Sequence, residues 1–523
     1  MEQISVRVNE WSLTQGMVGY KRILESYGIT VETDDFGIVV TKEALQKLPE
    51  AYFAYFLEKY SYARSNERTL RGLHNKWKKG DKEAKREINK KLKDIDSKIK
   101  KYFSTYEVGI SLREHIEVYR NEKEHSEEMD KHLNAIIDRL KDKEIEEKLT
   151  SNIFKPAQLK PFYGQVSFLN VSKNALTIDE QIEQFRQDFI EPILAEWAFV
   201  DCLKKDDKER CMKLLEETSH KNLASLKRTF RKKNIDEIKE YVQQEILQCS
   251  FTGFPLAFYN FEEKTFSPLA LSVDKALNVT WNSEGEAFFP ICALARLLLF
   301  CAAAGSTVSN QKNVFVQFDG PFDEIYRVNE HYNTEADRDK TFDEIIFDIV
   351  KETKMRADWI NRNYLILEYE SDYDSKRTLL DYMIMTPSLV KLFQNHSKLF
   401  SFIHYSYRVM FIKLLLKHID TKQMIAEVLR EKLKKSYSPL DVLYMTTLRH
   451  LHQTYIKEEK EMDTTTQQKK IWVLYKSAEA VREKIGLKKA QGIAYRLLNA
   501  AQAGDKHTFM DTVMRTYISS EQD

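Results

Sequence analysis

Lys488-Lys489-Ala490-Gln491-Gly492-Ile493-Ala494-Tyr495-Arg496-Leu497-Leu498-Asn499-Ala500-Ala501, followed by Ala503-Gly504-Asp505-Lys506 and Phe509-Met510-Asp511-Thr512-Val513-Met514-Arg515, decides how this chain is read. Its apolar positions recur at helical spacing, and the Gly504-Asp505 step splits it into two packed helices. The same rhythm extends backward to about Pro387. Amphipathic segments follow one another at Ser388 to His396, Phe400 to His418, Lys422 to Lys435, Pro439 to Lys457 and Lys470 to Ile485. Short polar breaks such as Ser436-Tyr437-Ser438-Pro439 separate them, as in a helical bundle. The domain boundary is expected near Met385 to Pro387, leaving residues 1–384 as a body and 385–523 as the bundle.

With 523 residues and 42% apolar content, the chain has room for two or three domains and a sizeable core. Only 15 glycines and 10 prolines punctuate it, so the expected class is mainly α, with a mixed α+β amino-terminal region and a carboxy-terminal helical bundle. The start, Met1 to Val8, lacks the basic and apolar regions of a signal peptide. The longest apolar run, Ile291 to Gly305, is interrupted by Arg296 and is shorter than the roughly 18 residues of a bilayer span. It reads as a buried helix, with no membrane partner. An odd set of five cysteines (Cys202, Cys211, Cys249, Cys292, Cys301) suggests reduced thiols and a cytoplasmic location.

A formal net charge of +1 conceals strong segregation. Between Arg71 and Lys101 there are 13 Lys and Arg against 5 Asp and Glu; from Met385 onward there are 23 against 14. The rest of the chain is left near −16. Two basic regions on an acidic body suit a polyanion held at defined places, because each neutralised phosphate releases condensed counterions. A basic run also serves as an ordinary solvated helix face.

Near the start, Trp11 to Leu24 reads as a helix with small residues, Gly16 and Gly19, where another backbone approaches. Tyr27 to Val40 alternates and turns like a hairpin. Lys76 to Phe103 is expected as one long basic helix with a thin apolar stripe of Trp77, Ile88, Leu92, Ile95 and Ile99, and Glu117 to Leu149 as a second charged helix. Pro156 and Pro161 predict a loop leading into a strand-like Gln165 to Asn170. A further basic cluster, Lys221, Lys227, Arg228, Arg231, Lys232 and Lys233, lies on a predicted helix.

Cys249-Ser250-Phe251-Thr252 and Cys292-Ala293-Leu294-Ala295 are two half-motifs of the CXXC kind. Four thiolates would close a tetrahedral zinc site, but Thr252 and Ala295 stand three residues after these cysteines and neither can supply a thiolate, so no metal or other cofactor is expected. Between them, Phe266 to Ala270 and Asn278 to Asn282 suggest strands and turns. With the amino-terminal helix and hairpin, the Gly164 to Asn170 segment and the carboxy-terminal pair of helices, these residues resemble the large subunit of type I-B CRISPR Cascade, a family named for its paired CXXC signature. A degenerate treble-clef zinc-finger nuclease is a second reading. Metal-dependent hydrolysis needs a His pair and a base beside the knuckle, whereas His404, His418, His450 and His452 fall in the bundle. No phosphate-binding loop, HExxH, GxSxG or kinase set occurs, and Asp343, Glu344, Asp372 and Asp374 are expected to be solvated.

The resemblance implies a non-catalytic subunit that contacts the 5′ handle of a guide RNA and inspects the protospacer-adjacent motif in double-stranded target DNA. It further implies R-loop stabilisation, contacts with Cascade backbone subunits and recruitment of a helicase-nuclease that performs cleavage. In such proteins the bundle resembles the small subunit, which can be translated separately from an internal start; Met383, Met385, Met410 and Met424 are candidates here. Reading a short duplex motif needs amide or cationic side chains on a rigid loop. The candidates are Gln158, Lys160, Tyr163, Gln165 and Asn170, on a stretch that reads equally well as an interdomain turn. Backbone binding falls to Lys76, Lys78, Lys79, Lys82, Lys85, Arg86 and Lys90, to Lys227, Arg228, Arg231 and Lys232, and to Lys413, Lys417, Lys422, Lys434, Lys435, Lys488, Lys489 and Arg496. A helical scaffold that binds only proteins is the third reading.

Overall fold

The computed structural model describes residues 2–122, 126–159, 166–260, 290–309, 312–330, 341–354, 361–372, 377–435, 437–457 and 464–521. The chain forms two units, Met1–Ser306 with Glu370–Leu379, and Thr307–Tyr369 with Leu380–Asp523. Helix dominates both.

The first unit opens with strand β1 (Gln3–Arg7), helix α1 (Trp11–Ser26) and a hairpin of β2 (Thr33–Asp34) and β3 (Gly37–Thr41). The sheet order is β1-β3-β2, with Gln3 opposite Thr41 and Arg7 opposite Gly37 in antiparallel register. Helix α1 is buried on almost every side from Ser12 to Leu24. It can be, because its two glycines admit another backbone. A Cβ on Gly16 would lie 2.2 Å from the carbonyl oxygen of Leu298, and one on Gly19 1.9 Å from that of Cys301. Those carbonyls belong to α13 (Ala293–Phe300) and the step into α14 (Ala302–Gly305), and Gly305 answers in kind, its Cβ position lying 2.0 Å from Gln15 O. Gln15 Nε2 donates to Ala302 O at 2.8 Å and the Arg22 guanidinium to Ala304 O, so the crossing is hydrogen-bonded as well as close-packed. The expectation that these glycines serve helix packing holds.

Helix α2 (Lys42–Lys59) starts on a Thr41 cap and carries Tyr52, Phe53 and Phe56 into an aromatic core with Phe168, Phe185 and Phe300. A helical lobe follows: α3 (Tyr62–Lys78), α4 (Lys82–Tyr102), α5 (Glu107–Asn121), α6 (Glu127–Leu140) and α7 (Lys143–Leu159). The single basic helix expected from Lys76 to Phe103 is broken. Gly80 takes φ +95° and the Asp81 carboxylate accepts from the Glu83 and Ala84 N–H groups, starting α4 afresh. Its predicted stripe is correct, since Ile88, Leu92, Ile95 and Ile99 are buried in the lobe's core. The charged segment from Glu117 to Leu149 likewise divides among three helices. Helix α7 runs through Pro156 to Leu159, past the expected break, and Ser167–Leu169 form a 3₁₀ turn where a strand was expected. The cause of the turn is burial: Phe168 sits 4.8 Å from the Phe53 ring, and Lys155 Nζ donates to Phe168 O at 3.1 Å.

Helix α8 (Ile178–Phe185) continues through a π turn, Arg186–Ile190, into α9 (Glu191–Lys204); α10 (Lys208–Glu217), α11 (Lys221–Phe230) and α12 (Ile235–Glu245) follow. Strands β4 (Tyr259–Asn260) and β5 (Pro290–Ile291) pair antiparallel just ahead of α13. The strands expected within Phe266–Ala270 and Asn278–Asn282 lie outside the described residues.

A four-stranded sheet that the sequence does not specify follows, most of its residues belonging to the second unit. Its order is β6 (Thr307–Ser309), β7 (Lys312–Phe318), β8 (Tyr364–Asp372) and β9 (Arg377–Met385), with α15 (Phe322–Glu330) and α16 (Phe342–Lys354) between β7 and β8 in sequence. The bundle follows as α17 (Pro387–Ser401), α18 (Tyr405–Leu416), α19 (Lys422–Lys435), α20 (Leu440–Ile456), α21 (Thr464–Ile485), α22 (Leu487–Ala503) and α23 (Lys506–Glu521). The succession matches the amphipathic segments, with α17 kinked at His396 (φ −126°). Gly504 takes φ +71° while Asp505 N–H bonds to Ala500 O at 2.9 Å, the left-handed cap that the Gly-Asp step predicts. Asp343, expected to be solvated, is instead buried and bonded to Arg408 Nε at 2.6 Å. Tyr373 and Asp374 lie outside the described residues.

Replacing Gly19 by Val is expected to destabilise the first unit by about 3 kcal/mol or more, since a backbone carbonyl occupies the new side chain's place. Gly72, mid-way along α3 with nothing within 4 Å of its Cβ position, is the control. Its change to Ala should stabilise by about 0.5–1 kcal/mol in the same denaturant titration.

Candidate nucleic-acid interface and the cysteine knuckle

The two half-motifs meet. Cys249 N–H bonds to Phe254 O at 2.9 Å and Gly253 N–H to Cys249 O at 2.8 Å, closing a tight turn; Ser250 N–H reaches Pro290 O at 2.9 Å, tying that turn to the second half-motif. Gly253 has φ +67°, as a knuckle requires. Both sulfurs are buried. The Cys292 thiol lies against Cys249 and draws the Cys249 thiol down, while burial pushes Cys292 up. Thr252 Oγ1 stands 3.4 Å from Cys292 Sγ, and the Ala295 N–H donates to the same sulfur at 3.4 Å. The positions of the missing cysteines are thus used to hydrogen-bond the sulfur that remains.

Two further residues complete the cluster. Glu196, on α9, accepts from the Ala293 N–H at 3.1 Å and so caps α13, and its other oxygen lies 3.4 Å from His220 Nε2. His220 Nδ1 accepts from Leu223 N–H at the start of α11, so the ring proton of the neutral form resides on Nε2, facing Glu196 and the Tyr259 hydroxyl at 3.3 Å. Burial pushes the Glu196 carboxyl up, opposed by the His220 hydrogen bond. Neither residue was singled out from sequence. The available signal was a lone Glu in the most apolar stretch of α9, beside Trp197.

The donor set does not fit a structural zinc ion. At the four CXXC positions it offers two thiols, one hydroxyl already bonded to a thiol, and a methyl group, while Glu196 is engaged by the Ala293 N–H and His220 by the Leu223 N–H and the Tyr259 hydroxyl. Among the described residues no group of three or more His, Cys, Asp or Glu is placed to hold a metal. Of the bundle histidines named above, His404 caps α18 through Ser406 N–H, and His452 is buried in α20.

The predicted phosphate-binding residues separate into open and committed. On α4, Lys82, Arg86 and Lys90 repeat every fourth residue on the exposed side, with Lys76, Lys78 and Lys79 exposed just ahead, although Lys78 is bonded to Asp130 at 2.7 Å and Arg86 lies 3.2 Å from Glu83. Lys85 faces inward. Its Nζ sits 4.3 and 4.4 Å over the Trp77 and Tyr119 rings and donates to Tyr119 O at 2.9 Å, and desolvation lowers it to about 8. Arg228, Arg231 and Lys232 are exposed; Lys227 pairs with Glu216 at 3.1 Å. In the second unit Lys413 is paired with buried Glu368 and Lys417 with Asp381 at 2.7 Å, so neither offers a free charge. Lys422, Lys434, Lys435, Lys488, Lys489 and Arg496 are exposed, with Lys435 paired to Glu431 at 2.7 Å and Arg496 3.9 Å from Asp511. Gln491 Nε2 donates to Leu433 O at 3.0 Å, which brings the ends of α19 and α22, and so Lys434, Lys435, Lys488 and Lys489, into one neighbourhood. Of the proposed motif readers, Asn170 caps its own turn through Ser172 N–H at 3.0 Å, leaving its amide NH₂ to be offered. Gln158 falls on the last turn of α7; Lys160, Tyr163 and Gln165 lie outside the described residues.

Residues 243–307, the segment that builds this knuckle and the helix packed on α1, match the family model Cas_CXXC_CXXC, described as CRISPR-associated protein. The match supports a CRISPR-associated origin for that segment. No curated protein and no solved structure matches it. No described helix is long and apolar enough to cross a membrane.

Glu196→Ala strands the buried Ala293 N–H and should cost about 1–3 kcal/mol in a denaturant titration, with Glu196→Gln milder because it keeps an acceptor for Ala293. Zinc measured on the purified chain should remain substoichiometric, and a chelator should leave its melting temperature unchanged. In the bundle, burial, with His418 second, lowers His452 to about 4. Its contribution is therefore intact above the unfolded value near 6.5 and declines by up to about 3 kcal/mol as pH falls to 4. His452→Gln should flatten that decline.

Proposed function

We propose that this chain is the non-catalytic large subunit of a type I-B CRISPR Cascade. In this role it holds the 5′ handle of the guide RNA, inspects the protospacer-adjacent motif of duplex DNA, steadies the opened strands, and recruits the helicase-nuclease that cuts. The observation that carries the reading is the match of the knuckle segment to a CRISPR-associated family, on a chain whose exposed cations are gathered in separate places on α4 and at the α19–α22 end of the bundle. The knuckle in this reading is structural: it sets α13 against α1 and supplies no chemistry. Cascade backbone subunits and a separately translated small subunit are the expected protein partners. Guide sequence performs target recognition by base pairing, so the protein needs only phosphate contacts and a few base-edge contacts.

A scaffold that binds only proteins draws support from exposed Met510, Met514, Tyr517 and Ile518 along α23. Salt titration separates the two. Affinity for a short duplex should fall steeply and linearly in log–log form with salt, and neutralising Lys79, Lys82, Arg86 and Lys90 should weaken all sequences alike and lower the slope by about 1 per lost contact. A flat salt response in the unmodified chain would favour the scaffold. Asn170→Ala should relax motif preference at unchanged slope.

A further inference from the structure

Helix α21 carries an exposed arrangement that charge alone does not describe. Trp472 and Tyr475 stand one turn apart with ring centroids 5.5 Å from one another and planes 26° from parallel, and Trp472 is 44% exposed. Lys476 Nζ lies 5.6 Å from the centre of the Trp472 ring and 5.9 Å from that of Tyr475, and is steered there by Glu479 at 2.9 Å. Between Thr464 and Ala490 there are seven Lys and Arg (Lys469, Lys470, Lys476, Arg482, Lys484, Lys488, Lys489) against Glu479 and Glu483. All seven are exposed.

We infer that α21 is a platform for single-stranded nucleic acid, on which Trp472 and Tyr475 stack unpaired bases while the cations beside them follow the phosphates. Every base has a face on which an aromatic ring can stack, so the surface is indifferent to sequence; a duplex, whose base faces are covered, gains nothing from it. At a rise of 1.5 Å per residue, the distance from Trp472 to Lys484 is about 18 Å, enough for up to about five nucleotides. The track then meets Lys488 and Lys489, which the Gln491 bond holds near Lys434 and Lys435. Charge selects the occupant: Val473 and Leu474 are also exposed and would suit a protein, but a protein interface core is depleted of charge, whereas this helix and its turn carry a local excess of five positive charges. The inference rests on the nucleic-acid reading above and adds to it a base-stacking site for opened strands.

The test uses the full chain and fluorescence anisotropy with a labelled oligothymidine, an abasic oligomer of equal length, and a duplex. The unmodified chain should prefer oligothymidine to the abasic strand. Changing Trp472 and Tyr475 together to Ala should lower oligothymidine affinity about tenfold or more while leaving abasic and duplex affinity unchanged, and changing both to Phe should restore it. Circular dichroism melts check that the variants remain folded. Equal affinity of the unmodified chain for the two strands, or an alanine pair that binds oligothymidine normally while loss of Lys434, Lys435, Lys488 and Lys489 weakens it, would overturn the platform and leave the nucleic-acid reading standing. Normal oligothymidine binding with failed assembly onto partner proteins would assign the surface to a protein and overturn the platform too. No binding of any oligomer by the unmodified chain would overturn both readings.

Discussion

The first unit depends on the crossing of α1 over α13 and α14, where backbone meets backbone with no side chain between. Gly16, Gly19 and Gly305 each stand where a methyl group would collide with a carbonyl oxygen, and Gln15 and Arg22 bond to the carbonyls that such proximity exposes. A crossing of this kind joins the start of the chain to residues almost three hundred positions later, so the amino-terminal hairpin and the knuckle segment belong to one body. It also explains why α1 has no solvent face to speak of: its charged residues, Lys21 and Arg22, are buried with their charges directed at backbone oxygens and at Glu25.

The knuckle follows from the same constraint. Helix α13 must be presented to α1 at a fixed angle, and a zinc ion bound by four thiolates is one way to hold its first turn. This chain uses other means. The Cys292 sulfur receives hydrogen bonds at the first turn of α13, Glu196 caps the Ala293 N–H from α9, and His220 bridges Glu196 toward α11. Each of those partners is a buried polar group whose removal leaves another unsatisfied. A set of hydrogen bonds across three helices takes the place that a metal has in a complete paired CXXC motif.

In the second unit the cations divide by what lies near them. Lys413 and Lys432 close ion pairs with the largely buried Glu368 and Asp441 and hold helices to the rest of their unit. The cations on α21 and at the ends of α19 and α22 are exposed and project from helices with little apolar contact of their own. Spare charge and spare aromatic surface are thus concentrated where the bundle is least committed to its own packing. Such surface is available to a partner without loss of core.

Helix positions in the bundle, the stripe of α4, the hairpin and the GxxG packing step were legible because each is a local pattern: apolar residues at a period of 3.6, alternation, and glycine where nothing larger fits. The break at Gly80 was missed because charged, helix-favouring residues flank it on both sides, and those between α5, α6 and α7 because such residues dominate the whole stretch; a positive φ with the Asp81 cap marks the first stop and a Ser126 hydroxyl cap the start of α6. The 3₁₀ turn at Ser167–Leu169 reads like a strand because Val166, Phe168 and Leu169 make a short apolar run; Phe168 is buried among distant aromatics instead. Glu196 and His220 could not be paired with the cysteines from sequence, since they come from different helices 53 and 29 residues ahead of Cys249 and meet it only in the fold. Sequence alone therefore determined the helical class, the charge segregation and the absence of two thiolates, all of which are properties of composition and spacing. Tertiary structure decided which lysines remain free, which acid is buried, and what stands in for the metal, because those depend on contacts between residues far apart in the chain.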